Sequence, residues 1–121
     1  MSQTQKTQTV DYRHEKRIHL MNLLFAYSFR SQETPDKEIA KIINELEDLD
    51  FSIQKIAPER PLTEINKVDL AILRQTVFES KHKKTPKKVL INEAIELAKE
   101  FGSENSAKFI NGALSQLFIK T

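Results

Sequence analysis

Apolar residues recur along this chain every three or four positions, the spacing of a helix face, and the clearest run spans residues 85–117. Thr85 has the chemistry of an N-cap, and Pro86 fits the first helical position, where its missing N–H leaves no bond unmade. Leu90, Ile91, Ala94, Ile95, Leu97, Ala98 and Phe101 then cover most of the circumference, so the spacing predicts a central, buried helix. Gly102 stands where a left-handed residue ends helices. Ser103 is placed to cap a second helix, with Ala107, Ile110, Leu114 and Leu117 as its stripe. These residues predict a helical hairpin.

The preceding part of the chain reads as three further helices. Residues 11–30 carry two stripes, His14, Ile18, Met21, Phe25 and Phe29 on one side and Leu20, Leu24 and Tyr27 on another, as a helix wedged between two neighbours does. A short loop at 31–35 leads to a second helix reaching Ile56 through Ile39, Ile42, Ile43, Leu46, Leu49 and Ile53. Pro58 and Pro61 stop it. A third helix begins near Asn66, with Asp69 three residues on as in a capping box, and carries Leu70, Leu73 and Val77 inward. The reading is an all-α domain of about five helices over residues 11–121, preceded by a disordered polar leader at 1–10.

Composition narrows the chemistry. With 121 residues there is room for one domain with a real core. Two glycines exclude a phosphate-binding P-loop and a dinucleotide fingerprint. The absence of cysteine excludes disulfides and thiolate metal sites, and suits a reducing cytoplasm. His14, His19 and His82 are not paired at ligand spacing, and Glu93 and Glu96 read as solvated charges on a helix face. No enzyme activity, cofactor or metal is expected, and no apolar run is long enough to span a membrane.

Net charge is only +2, yet it is unevenly distributed. Arg13, His14, Lys16 and Arg17 crowd the first turns of the first helix, where cations oppose the helix dipole, so stability does not ask for them there. Lys81, His82, Lys83, Lys84, Lys87 and Lys88 form a second basic group, and residues 33–50 are acidic. Phe109 lies about 100° from Ile110 around its helix, on a face shared with Asn105, Lys108 and Gly112. Two readings stand: a ring packed on a third element, or an exposed ring on which unpaired bases stack.

The blocks V-D-L-A-I-L-R at 68–74, V-L-I-N-E-A-I-E-L-A-K-E-F-G at 89–102 and S-A-K-F-I-N-G-A-L at 106–114 closely resemble the NusB family of transcription antitermination factors, with the likeness running from Arg13 to about Leu117. The resemblance implies two packed helical halves that bind a boxA-like single-stranded element of ribosomal RNA leaders. It also implies a protein partner, the small-subunit ribosomal protein NusE, and action on a transcription elongation complex. Carried over residue by residue, the RNA contacts are Arg13, His14, Lys16, Arg17, Phe25, Asn105, Lys108 and Phe109. The partner contacts are Asp69 and Glu64. Phe25 stands where the family has tyrosine, and Asn105 where an acid is common. The family's additional helix after the first is replaced by the loop at 31–35, so the N-terminal half is trimmed. A helical protein–protein adaptor with weak or lost RNA binding is the competing reading.

Overall fold

Leu70, Ala71, Ile72 and Leu73, four consecutive apolar residues, are all buried, so the helix carrying them has neighbours on every side. The computed structural model describes the backbone of residues 2–30 and 33–119 and the side chains of 12–30 and 33–118. Its elements are α1 (Ser2–Tyr27), a 3-10 turn (Lys37–Ile39), α2 (Ala40–Asn44), α3 (Leu46–Ile56), a second 3-10 turn (Leu62–Glu64), α4 (Lys67–His82), α5 (Lys87–Phe101) and α6 (Ser106–Ile119). The fold is all-α. The first helix, expected from residue 11, begins at Ser2, so the backbone of residues 2–10, read as a leader, continues α1, while the side chains of residues 1–11 lie outside the described residues. Among the described residues no helix is long and apolar enough to cross a membrane.

The central helix is α4, not the first arm of the hairpin. It touches α1, α2, α3, α5 and α6, whereas α5 packs chiefly on α4 and α6. The α5 stripe is narrower than the spacing predicts: Leu90, Ala94, Leu97 and Ala98 are buried, but Phe101 is 40% exposed. The N-terminal helices close over the other side of α4 through Met21, Leu24, Ile42, Leu49 and Ile53, and α3 also reaches α6. The two helical halves therefore share one core.

The expected second helix is broken at Glu45, whose φ of −104° and ψ of 10° leave the helical region, and this break raises the helix count among the described residues from about five to six. Asp36 opens this segment, its carboxylate accepting from the Glu38 N–H at 2.8 Å. Asn66 caps α4 as expected, accepting from the Val68 N–H at 2.8 Å.

Two hairpin assignments change. Pro86, not Thr85, is the N-cap of α5, because the Thr85 hydroxyl donates to Glu79 at 2.7 Å instead. Ser106, not Ser103, opens α6, and the Ser103 N–H donates to the Ser106 hydroxyl at 2.8 Å. Gly102 has φ −88°, outside the left-handed region. What requires glycine is space. A Cβ there would stand 2.5 Å from the Ser106 side chain and 2.7 Å from the Ala98 carbonyl oxygen.

Candidate nucleic-acid interface

The basic stretch 13–17 lies in the middle of α1, not in its first turns as expected, and faces the turn that joins α4 to α5. Arg13, Lys16 and Arg17 line one side of a cleft whose other side carries Lys83, Lys84, Thr85 and Pro86. The two basic groups, separate in the sequence, thus meet. Arg13, Lys16, Lys83 and Lys84 are exposed, and Tyr12, 64% exposed, flanks them.

Arg17 and His14 have a different part in this cleft from the expected one. Arg17 is half-buried and forms a two-point pair with Glu79, Nε to Oε1 at 3.2 Å and Nη2 to Oε2 at 2.8 Å. Its Nη1 lies 4.0 Å from Glu93. His14 faces Glu93 through Nδ1 at 3.3 Å and Glu100 through Nε2 at 2.9 Å. Both side chains are paired with carboxylates of α4 and α5 rather than left open to the cleft. Glu93, expected as a solvated charge, belongs to this network. Charge-assisted pairs of this geometry are stronger than neutral hydrogen bonds, and they pin α1 in place. The Gln75 amide adds a bond to the Arg17 carbonyl at 3.0 Å.

Titration follows this arrangement. The hydrogen bond to Glu100 raises the His14 pKa; partial burial opposes it, and Glu93 adds to the rise. A neutral imidazole donates from one nitrogen only, so the imidazolium alone satisfies both carboxylates. At Glu79 burial pushes the pKa upward, but the bonds from Arg17 and Thr85 and the charges of Arg17 and Lys83 outweigh it, and the net shift is downward.

Asn105, Lys108, Phe109 and Gly112 do share a face, and it forms one wall of a second cleft opposite residues 55–60 of the α3 end and the following loop. Phe109 is half-buried, packs against the core cluster, and carries the Arg60 guanidinium carbon 4.4 Å from its ring centroid. The ring is thus packed on the core on one side and met by a cation from the α3–α4 connector. Arg60 had no signal in the linear sequence, where it sits between two prolines in a connector.

The remaining expected residues lie elsewhere. Phe25 is half-buried, meets Phe29 edge-on at 5.0 Å, and lines neither cleft. Glu64 is exposed on the turn before α4. Asp69 is 2% exposed, which corrects its expected place on a partner surface. The start of α6 covers it: burial raises its pKa, opposed by a hydrogen bond with Ser106 and the charge of Arg60. One carboxylate oxygen of Asp69 has no hydrogen-bond partner among the described residues. Among the described residues no three His, Cys, Asp or Glu side chains converge as metal ligands would.

Comparison with known proteins bears on both clefts. Residues 36–118 match the NusB family. The transcription antitermination protein NusB of Campylobacter curvus is 38% identical over 87% of this chain and 95% of its own length. That of Roseiflexus castenholzii is 51% identical over 54% of this chain and 49% of its own length, so the match spans about half of that relative. Among solved structures, T. maritima NusB superposes with a TM-score of 0.77 at 30% identity, covering 87% of this chain and 89% of that one.

Proposed function

The chain belongs to the NusB family, and from that premise we propose that it is an RNA-binding transcription antitermination factor. It holds a boxA-like single-stranded element of ribosomal RNA leader transcripts, together with the ribosomal protein NusE, and so modifies an elongating polymerase. The mechanism is recruitment, with no bond made or broken.

The observation that carries this reading is the convergence of Arg13 and Lys16 of α1 with Lys83 and Lys84 of the α4–α5 turn. Four exposed cations around one cleft suit the phosphates of a nucleic-acid strand, whose counterions they displace. Arg17 and His14, held by carboxylates, act in this reading as positioning residues that keep α1 at the cleft. The second cleft supplies the Arg60–Phe109 pair and the Asn105 amide for bases, which phosphate contacts alone do not distinguish. Glu64, exposed before α4, is the residue proposed to meet a basic NusE side chain.

The test is a titration of a boxA-like RNA oligonucleotide at several salt concentrations, with and without NusE. Replacing Arg13, Lys16, Lys83 and Lys84 together by Ala is expected to weaken binding and to flatten the slope of log K against log salt by about 0.7 per lost contact. Unchanged affinity and slope in that variant overturn the reading. Binding of NusE by a chain with no measurable RNA affinity favours the adaptor instead.

A further inference from the structure

The face of Phe109 that a base would seek already has an occupant. The ring packs on the core cluster, and the exposed Arg60 stands over it with its guanidinium carbon 4.4 Å from the centroid. A base entering this cleft meets the guanidinium before the ring. Around the pair the cleft carries Lys55 and Lys108 against a single carboxylate, Glu59. Gly112 leaves the floor open, since a Cβ there would meet nothing within 4 Å. The volume, about 730 Å³, is ample for a nucleotide.

We propose that Arg60 is a nucleobase-stacking residue: Phe109 holds its guanidinium flat, and an unpaired base stacks on the outer face of that plane. Guanidinium planes accept bases as aromatic rings do. They also keep in-plane N–H donors for base edges or phosphate. The charge of Arg60 also reaches buried Asp69, whose pKa it lowers against the effect of burial. Lys108, exposed on the same wall, is placed for a phosphate beside the stacked base, whereas the Lys55 ammonium lies over the Phe51 ring at 4.8 Å. This inference rests on the RNA-binding reading above and adds a contact from the α3–α4 connector.

The experiment uses fluorescence anisotropy with a single-stranded boxA-like RNA oligonucleotide and copies of it carrying one abasic position, moved stepwise along the strand. In the parent, one abasic position is expected to weaken binding about 5- to 150-fold. In Arg60→Ala the intact oligonucleotide binds as weakly as that abasic copy binds the parent, and the abasic copy loses nothing more. Arg60→Lys keeps the charge that Asp69 senses but loses the plane. It should bind like Arg60→Ala while keeping the parent's salt slope and melting temperature. An Arg60→Ala protein that still discriminates the abasic copy as the parent does overturns the inference and leaves the RNA reading standing. So does an Arg60→Lys protein indistinguishable from the parent, which would make Arg60 a point charge. A parent that does not bind the intact oligonucleotide at all overturns both.

Discussion

At the scale of single residues, the basic stretch of α1 divides into side chains that face water and side chains that face carboxylates. The sequence shows Arg13, His14, Lys16 and Arg17 as one cluster, and periodicity already puts His14 in an inward stripe. What it does not show is that Glu79, Glu93 and Glu100, on helices far along the chain, meet that stripe. Partner identity across elements depends on packing and not on local spacing, so it was illegible. Asp69 illustrates the same limit: its position beside a helix start suggests a cap, and only the start of α6 explains its burial. The His14 network has a sign that can be tested. Its pKa is raised in the folded chain, so the folded state holds the proton more tightly than the unfolded one. The stabilisation is fully present below the unfolded value, about 6.5, and is lost as pH rises through the folded value. His14→Gln is therefore expected to be less stable than the parent near pH 5 and to converge on it near pH 8 or above, measured by urea unfolding across about that range. A stability gap that does not change with pH would assign His14 to packing alone.

At the scale of elements, what periodicity and caps supplied was the type and order of the helices. Asn66 does cap α4, and the prolines at 58 and 61 do separate α3 from it. Local rules failed where a tertiary contact took the residue that a cap required. Thr85 bonds Glu79, and Ser106 lies under Gly102. The two glycines make this measurable, because they sit in the same hairpin with opposite surroundings. Gly102 has an ordinary negative φ, so conformational freedom alone predicts a gain of about 0.4–1 kcal/mol for Gly102→Ala. The space predicts the reverse: a methyl group 2.5 Å from Ser106 and 2.7 Å from a backbone oxygen must push α6 aside, at about 1–3 kcal/mol. The steric term is larger, and destabilisation is expected. Gly112 lies within α6 with open space around its Cα, so Gly112→Ala should stabilise by roughly 0.5–1 kcal/mol. Thermal melting of the two variants decides the matter. Two shifts of the same sign would contradict the account of the α5–α6 corner.

At the scale of the whole molecule, α4 both organises the core and separates the two clefts. Its first residue follows the connector that carries Arg60, and its last turns carry Glu79 and adjoin Lys83 and Lys84. Sixteen helical residues span about 24 Å, so the length of α4 lies between the connector that carries Arg60 and the turn that carries Lys83 and Lys84. Legibility at this scale was uneven: the all-α fold and the family blocks could be read, whereas the arrangement of basic groups and ring around one helix could not. That separation predicts how their contributions combine. Sites more than about 10 Å apart with no shared partner usually contribute additively. On an oligonucleotide long enough to reach both clefts, the affinity losses of Lys83→Ala/Lys84→Ala and Phe109→Ala should therefore multiply in the combined variant. On an oligonucleotide too short to span α4, only one of the two should matter, and which one should depend on the bases it carries. The salt dependence separates them as well: the lysine variant flattens the slope by about 0.7 per lost contact, and the phenylalanine variant leaves it unchanged. Titrations of the three variants against long and short single strands measure both quantities. If the lysine variant binds every length of strand like the parent, the strand does not cross α4, and the α4–α5 turn has no part in holding RNA.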